Sequence, residues 1–182
     1  SSFCALALSS PVSPSDFSAS PLPARDGRVP VLLYIGTLAD WQGLDVVIRA
    51  LPKILEKQAI RLQIVGRGRS RQRKMIAKQI RKLGIEDHVT VLPAVPHHEV
   101  PALIAASDIC VAPLGLNDRN VTQGACPIKV LEYMAAGRPL LASNMPIVRE
   151  LVREDMDALL FSPNDPDDLA HQTLALLNDF EL

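Results

Sequence analysis

The strongest constraint on this chain's fold is an alternation that repeats six times. Short, continuous apolar runs occur at 29–36 (VPVLLYIG), 60–66, 88–94, 108–114, 138–143 and 157–163. Between and after them lie longer stretches with helical periodicity: GLDVVIRALPKILEK, SRQRKMIAKQIRKLG, HHEVPALIAAS, CPIKVLEYMAAG, PIVRELVRE and DPDDLAHQTLALLND. An unbroken apolar strand has both faces covered, and an intervening helix is the ordinary route between parallel neighbours. With right-handed crossovers, the pattern predicts an α/β fold: a doubly wound, Rossmann-like parallel sheet of about six strands with helices on both faces. Residues 1–28, rich in Pro and Ser and poor in periodic hydrophobicity, read as a linker or interdomain segment, which leaves 29–182 as the domain.

Composition narrows the class. The chain is 48% hydrophobic, yet no apolar run approaches the roughly 20 residues that span a bilayer. Three widely spaced cysteines, Cys4, Cys110 and Cys126, form no CxxC pair, which points to a reducing, cytoplasmic setting. The net charge of −1 hides an asymmetry. Nine basic and no acidic residues lie between Arg61 and Lys82, and nine acidic residues follow from Glu150 to the end. The basic run reads either as a solvated face or as the footprint of an anionic partner, a phosphorylated ligand or the surface of an acidic membrane met peripherally. Nucleic acid fits less well, because aromatics are 4% of the chain and none interleaves with the run.

Doubly wound sheets bind ligands beyond the carboxyl ends of their strands. In the first such loop, GTLADWQG (36–43), Gly36 permits close backbone approach or positive φ, and Trp41 either packs the loop or covers a ligand. The second, VGRGRSR (65–71), has Gly66 and Gly68, but Arg71 stands where a dinucleotide fingerprint needs its third glycine, so a dehydrogenase is disfavoured. Arg67 and Arg69 beside a helix start still suit a phosphate, and a tight strand-to-helix turn is the competing reading. The third loop, 115–125, is long and polar, which in a compact domain usually signals function. His97 and His98 lack a third ligand at metal spacing and read as helix-start residues; no G-x-S-x-G elbow is present.

The stretch CPIKVLEYMAAGRP (126–139) poses the sharpest question. Pro127 suits a first helical position, Gly137 a C′ stop, and Pro139 forbids continuation. Lys129, however, stands in the first turn, where the helix dipole costs a cation about 0.3–1 kcal/mol. An exposed pairing with Glu132 at i, i+3 is one explanation; a bound anion is the other.

PIKVLEYMAAGRPLLAS resembles the donor-binding motif of retaining glycosyltransferases of GT-B architecture, above all family 4. YIGTLADWQG, LQIVGRG and VLPAVPHHEVPALIAASDICVAPL are similar to further segments of that family's second domain, in order and spacing. The resemblance covers roughly residues 11–180 and implies the C-terminal, donor-binding half of such an enzyme. It would transfer sugar from a nucleoside diphosphate sugar to an acceptor with retention, without cofactor or metal, and its N-terminal acceptor domain would lie outside this chain. By resemblance Glu132 binds the ribose, Lys129 stabilises the departing diphosphate, and Gly36, Thr37, Gly66, Arg67, Val95, Pro127 and Ile128 complete the donor site. The base would lie near Ala94 and Val95. The family typically has a Glu eight positions before the one matching Glu132, and an Arg and a Lys in the first loop. Here those positions hold Gly124 and, approximately, Thr37 and Gln42. Two alternatives accompany this reading: a non-catalytic nucleotide-binding or assembly module with a basic docking helix, and a fragment of a GT-B sugar-nucleotide epimerase.

Overall fold

The computed structural model describes residues 27–116 and 127–179. The linker up to residue 26, most of the 115–125 loop with Gly124, Cys4 and Cys126 therefore lie outside the described residues. Six strands form one parallel sheet: β1 (Val31–Ile35), β2 (Arg61–Val65), β3 (Val89–Leu92), β4 (Ile109–Ala112), β5 (Leu140–Ser143) and β6 (Leu159–Phe161). Their order is β3-β2-β1-β4-β5-β6, so the winding reverses between β1 and β4. The helices are α1 (Leu44–Leu55), α2 (Ser70–Leu83), α3 (Val100–Ala105), α4 (Ile128–Ala135), α5 (Pro146–Arg149) and α6 (Pro166–Asp179).

Both faces of the sheet are covered, as the unbroken apolar strands require. On one face α1, α2 and α6 pack Val47, Ile48, Leu51, Ile54, Ile80, Leu169 and Leu177 against Leu32, Tyr34, Leu62 and Ile64. On the other, α3, α4 and α5 bring Ile104, Val130, Tyr133 and Val148 to Leu33, Cys110, Ala112 and Leu140. Burying side chains of this size is worth about 1.5–3 kcal/mol each.

Two helical expectations are shortened. The pattern PIVRELVRE yields only the four residues of α5. Beyond it, Asp157 accepts the Arg153 backbone N–H at 2.9 Å and its guanidinium at 2.8 Å, which draws the chain into a turn ahead of β6. HHEVPALIAAS splits into a 3-10 turn, His97–Glu99, and α3. The α4 stop is as the sequence predicts: Gly137 (φ 63°) donates to Met134 O at 2.9 Å and Arg138 to Tyr133 O at 3.2 Å, a Schellman cap. The start shifts by one residue, with Pro127 as N-cap and Ile128 first in the helix.

β1 and β4 are paired over just two residues, Leu32 with Ile109 and Leu33 with Cys110, whereas β1 and β2 are paired over five. At the amino end of this short ladder the buried carboxylate of Asp108 accepts Arg28 Nη1 at 2.9 Å and the Val31 backbone N–H at 2.7 Å. Asp108→Ala is expected to cost about 1.5–3 kcal/mol, the scale for hydrogen bonds to a charged group. Thermal unfolding checks this; for a domain this size each kcal/mol lowers Tm by about 2–4 °C.

Candidate functional site at the strand switch

Past Leu33 the strands diverge, and the crevice so formed is where a doubly wound sheet holds its ligand. The divergence deprives Ile35 of a partner in β4. Its N–H donates instead to the hydroxyl of Tyr133, from α4, at 3.0 Å. Tyr133 is fully buried, and the Tyr34 hydroxyl donates to Thr37 O at 2.7 Å. Burial raises the pKa of both phenols, so they stay neutral hydrogen-bonding groups.

Three loops converge here by backbone contact. The Gly36 N–H bonds Val65 O at 3.0 Å, Leu38 N–H bonds Arg67 O at 2.9 Å and Gly66 N–H bonds Leu92 O at 3.3 Å. A Cβ on Gly66 would lie 1.7 Å from Gly36 O, so no other residue fits there. Gly43, at φ 69°, is equally constrained: its Cβ would meet Pro113 O at 1.6 Å. The glycines of VGRGRSR are thus explained by packing one loop on another. The Gly115 N–H reaches Trp41 O at 3.3 Å, tying the loop after β4 to the loop after β1. Arg73 donates to Gly66 O at 2.7 Å.

Lys129 is the centre of the site. Its ammonium hydrogen-bonds Gln42 Oε1 and stands 4.8 Å from the centroid of the Tyr34 ring. It also sits 2.9 Å from where a Cβ on Gly36 would be. Burial lowers its pKa to about 8, with the Glu132 carboxylate pulling the other way. Glu132, one turn on, meets His97 Nε2 at 3.2 Å. Burial raises the Glu132 pKa, and His97 and then Lys129 oppose the rise. Among the described residues no ion pair joins Lys129 to Glu132, so the i, i+3 surface pair is not what holds these charges.

The structure therefore gathers Gly36, Thr37, Lys129, Pro127 and Glu132 at the switch. Gly66 and Arg67 adjoin them through the loop packing. Arg67 is exposed and, with Thr37, Trp41, Arg69 and Gln72, lines an open cavity of about 570 Å³. Trp41, still 36% exposed, lines that cavity too. Val95 packs against the second core cluster, beyond β3, and Ile128 is exposed. Sequence reasoning missed Gln42, Tyr34, Tyr133 and His97 as site members. Only the i+4 spacing of Tyr133 from Lys129 hinted at a shared face.

Comparison with known proteins agrees with this geometry. A family model described as glycosyl transferases group 1 matches residues 29–179. An uncharacterized glycosyltransferase of Methanocaldococcus jannaschii is 27% identical over 150 residues, 82% of this chain and 36% of the relative. The chain spans about 36% to 40% of the length of such curated relatives. Among solved structures, the C-terminal domain of a group 1 family glycosyl transferase (LpcC) of Francisella tularensis superposes with TM-score 0.75 at 17% identity, covering 93% of this chain and 89% of that one. HepE of Anabaena in complex with UDP-glucose gives 0.76 at 22%, covering 93% and 47%. These likenesses show the fold, a Rossmann-like half of the GT-B architecture.

The lysine has a measurable signature. Its folded pKa lies below its unfolded value, so between about 8 and 10.5 the unfolded chain binds more protons and stability rises with pH. Relative to Lys129→Met, the wild-type chain should therefore gain stability as pH climbs through that window and show a constant difference below it. Urea unfolding of both proteins across the window reads this directly; parallel pH curves would refute the buried ammonium.

Proposed function

The chain belongs to the group 1 glycosyl transferases, and from that premise we propose that residues 29–182 are the donor-binding domain of a sugar-transferring enzyme. The donor is a nucleoside diphosphate sugar, transfer proceeds with retention, and the acceptor is held by a domain outside these 182 residues. The single observation that carries this reading is the Lys129 ammonium at the strand switch, held by Gln42 over Tyr34, one turn from the Glu132 carboxylate.

The chemistry follows from charge. A diphosphate carries about two negative charges, and the start of a helix favours anions through its unpaired amides and its dipole. α4 begins at the switch, so a diphosphate there lets helix and lysine act together. The dipole alone disfavours Lys129; with the anion bound, both attract the same group. In sugar transfer the demanding step is departure of the nucleoside diphosphate, and a preorganised cation with little water around it stabilises that developing charge. No metal is needed in this scheme. By resemblance Gln42 and Thr37 stand, approximately, where the family places cations; Gln42 here holds the lysine of α4, so the positive charge is supplied from the helix.

Glu132 is suited to the ribose. A carboxylate accepts two hydrogen bonds from neighbouring hydroxyls, and bonds to a charged acceptor are the strong kind. His97 already occupies one of its oxygens, at 3.2 Å from Nε2, and leaves the other for a ligand. The exposed Ala94 and half-buried Val95, just ahead of His97, would border the base. The UDP-glucose bound by HepE supports this class of donor for the shared fold.

Calorimetry with UDP and GDP tests the reading. Binding is expected, and Glu132→Ala should weaken it by about 1.5–3 kcal/mol. A folded chain that binds neither nucleotide at millimolar concentration would overturn the proposal.

A further inference from the structure

A second charged surface lies on the outer face of α2, apart from the strand switch. Arg71, Lys74, Lys78, Arg81 and Lys82 are all exposed, and Met75, at the edge of the group that faces Leu44 and Asp45 of α1, is 52% exposed. At about 100° per residue these six side chains fall within about 120° of the helix circumference, along about 16 Å of its length. The opposite face fixes this orientation. Ile80 is buried, and Ile76 and Leu83 pack against the core. The helix stops at Gly84 (φ 65°), where the Ile85 N–H bonds Ile80 O at 3.3 Å and buries Ile85, so Glu86 and Asp87 fall beyond the stripe.

No carboxylate occurs between Arg61 and Lys82, and among the described residues none of the five cations forms an ion pair. The exposed cations of α1 and α5 behave differently: Arg49 pairs with Asp45 at 3.0 Å, Lys53 with Asp167, and Arg149 with Glu154 at 3.8 Å. Five like charges kept together at the cost of mutual repulsion suit an extended anion.

We propose that the outer face of α2 docks this protein peripherally on an anionic lipid surface. A helix lying on a bilayer places long, snorkelling cations at the headgroups and sinks apolar surface beside them, the arrangement of Met75 at the edge of the five side chains. Among the described residues the five cations themselves line no cavity; the one of about 340 Å³ beside them is lined by Met75, Gln72 and Gln79 with Asp40 and Asp45. The stripe has no aromatic ring on which a base could stack, which removes the usual grip on single-stranded nucleic acid. Because the first-turn Asp167 of α6 is already paired with Lys53 while the five α2 cations are not paired, an anionic surface would orient the molecule α2 first.

Co-sedimentation of the 182-residue chain with vesicles tests this. Binding is expected to vesicles of phosphatidylserine in phosphatidylcholine and to be absent from phosphatidylcholine alone. Each near-surface cation raises partition about fivefold, so Lys74→Gln with Lys78→Gln should lower it about 25-fold. The matched pair Lys57→Gln with Arg61→Gln, exposed but off the stripe, should change it by less than about twofold. Circular dichroism verifies that both variants are folded. Equal losses in the two pairs would show that net charge alone is at work and would overturn the proposal. So would binding to the uncharged vesicles, or tighter binding to a DNA duplex than to the anionic vesicles at the same salt.

Discussion

The two-residue ladder between β1 and β4 is the constraint on which the rest of the structure depends. A parallel sheet that reverses its winding must part its strands at the reversal, and parted strands leave backbone groups without partners. Asp108 closes the seam at the amino end by taking the Val31 amide and the Arg28 guanidinium. Tyr133 closes it at the carboxyl end by accepting the Ile35 amide. The second closure has a consequence for the first turn of the same helix. By docking on β1, Tyr133 fixes α4 over the crevice, and that places Lys129 against Gln42 and the ring of Tyr34. One hydrogen bond thus both satisfies the sheet and positions its most unusual charge.

That charge is held under tension between opposing terms. Desolvation and the helix dipole act against the ammonium; the Glu132 carboxylate, the Gln42 oxygen and the tyrosine face act for it. The balance leaves a lysine that is charged at neutral pH but close to losing its proton. A site poised in this way binds an anion without first stripping water from its cation. The same logic separates the two basic features of the molecule. Lys129 is single, enclosed and held by its neighbours, as suits a discrete phosphate group. The α2 stripe is multiple and solvated, as suits an extended surface.

Most of the architecture was legible in the sequence. Runs such as LQIVG and DICVAPL are apolar without alternation, which only a sheet covered on both faces tolerates, and Gly137 with Pro139 marked the end of α4 correctly. Local competition was harder to read. PIVRELVRE has helical periodicity, but Asp157 lies outside the pattern and captures Arg153. Lys129 and Glu132 stood out because their positions are costly for an isolated helix. Their partners did not, since Gln42 is 87 residues from Lys129 and His97 comes from a different loop. Gly66, read as a candidate phosphate turn, is also the point where two loops touch, a role set by the 1.7 Å between Gly36 O and a Cβ placed on Gly66 and invisible in a glycine pattern.

The central claim is that Lys129 waits at the strand switch for a diphosphate. NMR titration of its side-chain ammonium, in the free chain and with saturating UDP, tests this most directly. The free lysine should titrate near 8, and the bound anion should raise that value, because a neighbouring negative charge favours the protonated form. An unchanged titration in the presence of bound UDP would place the nucleotide elsewhere and contradict the account.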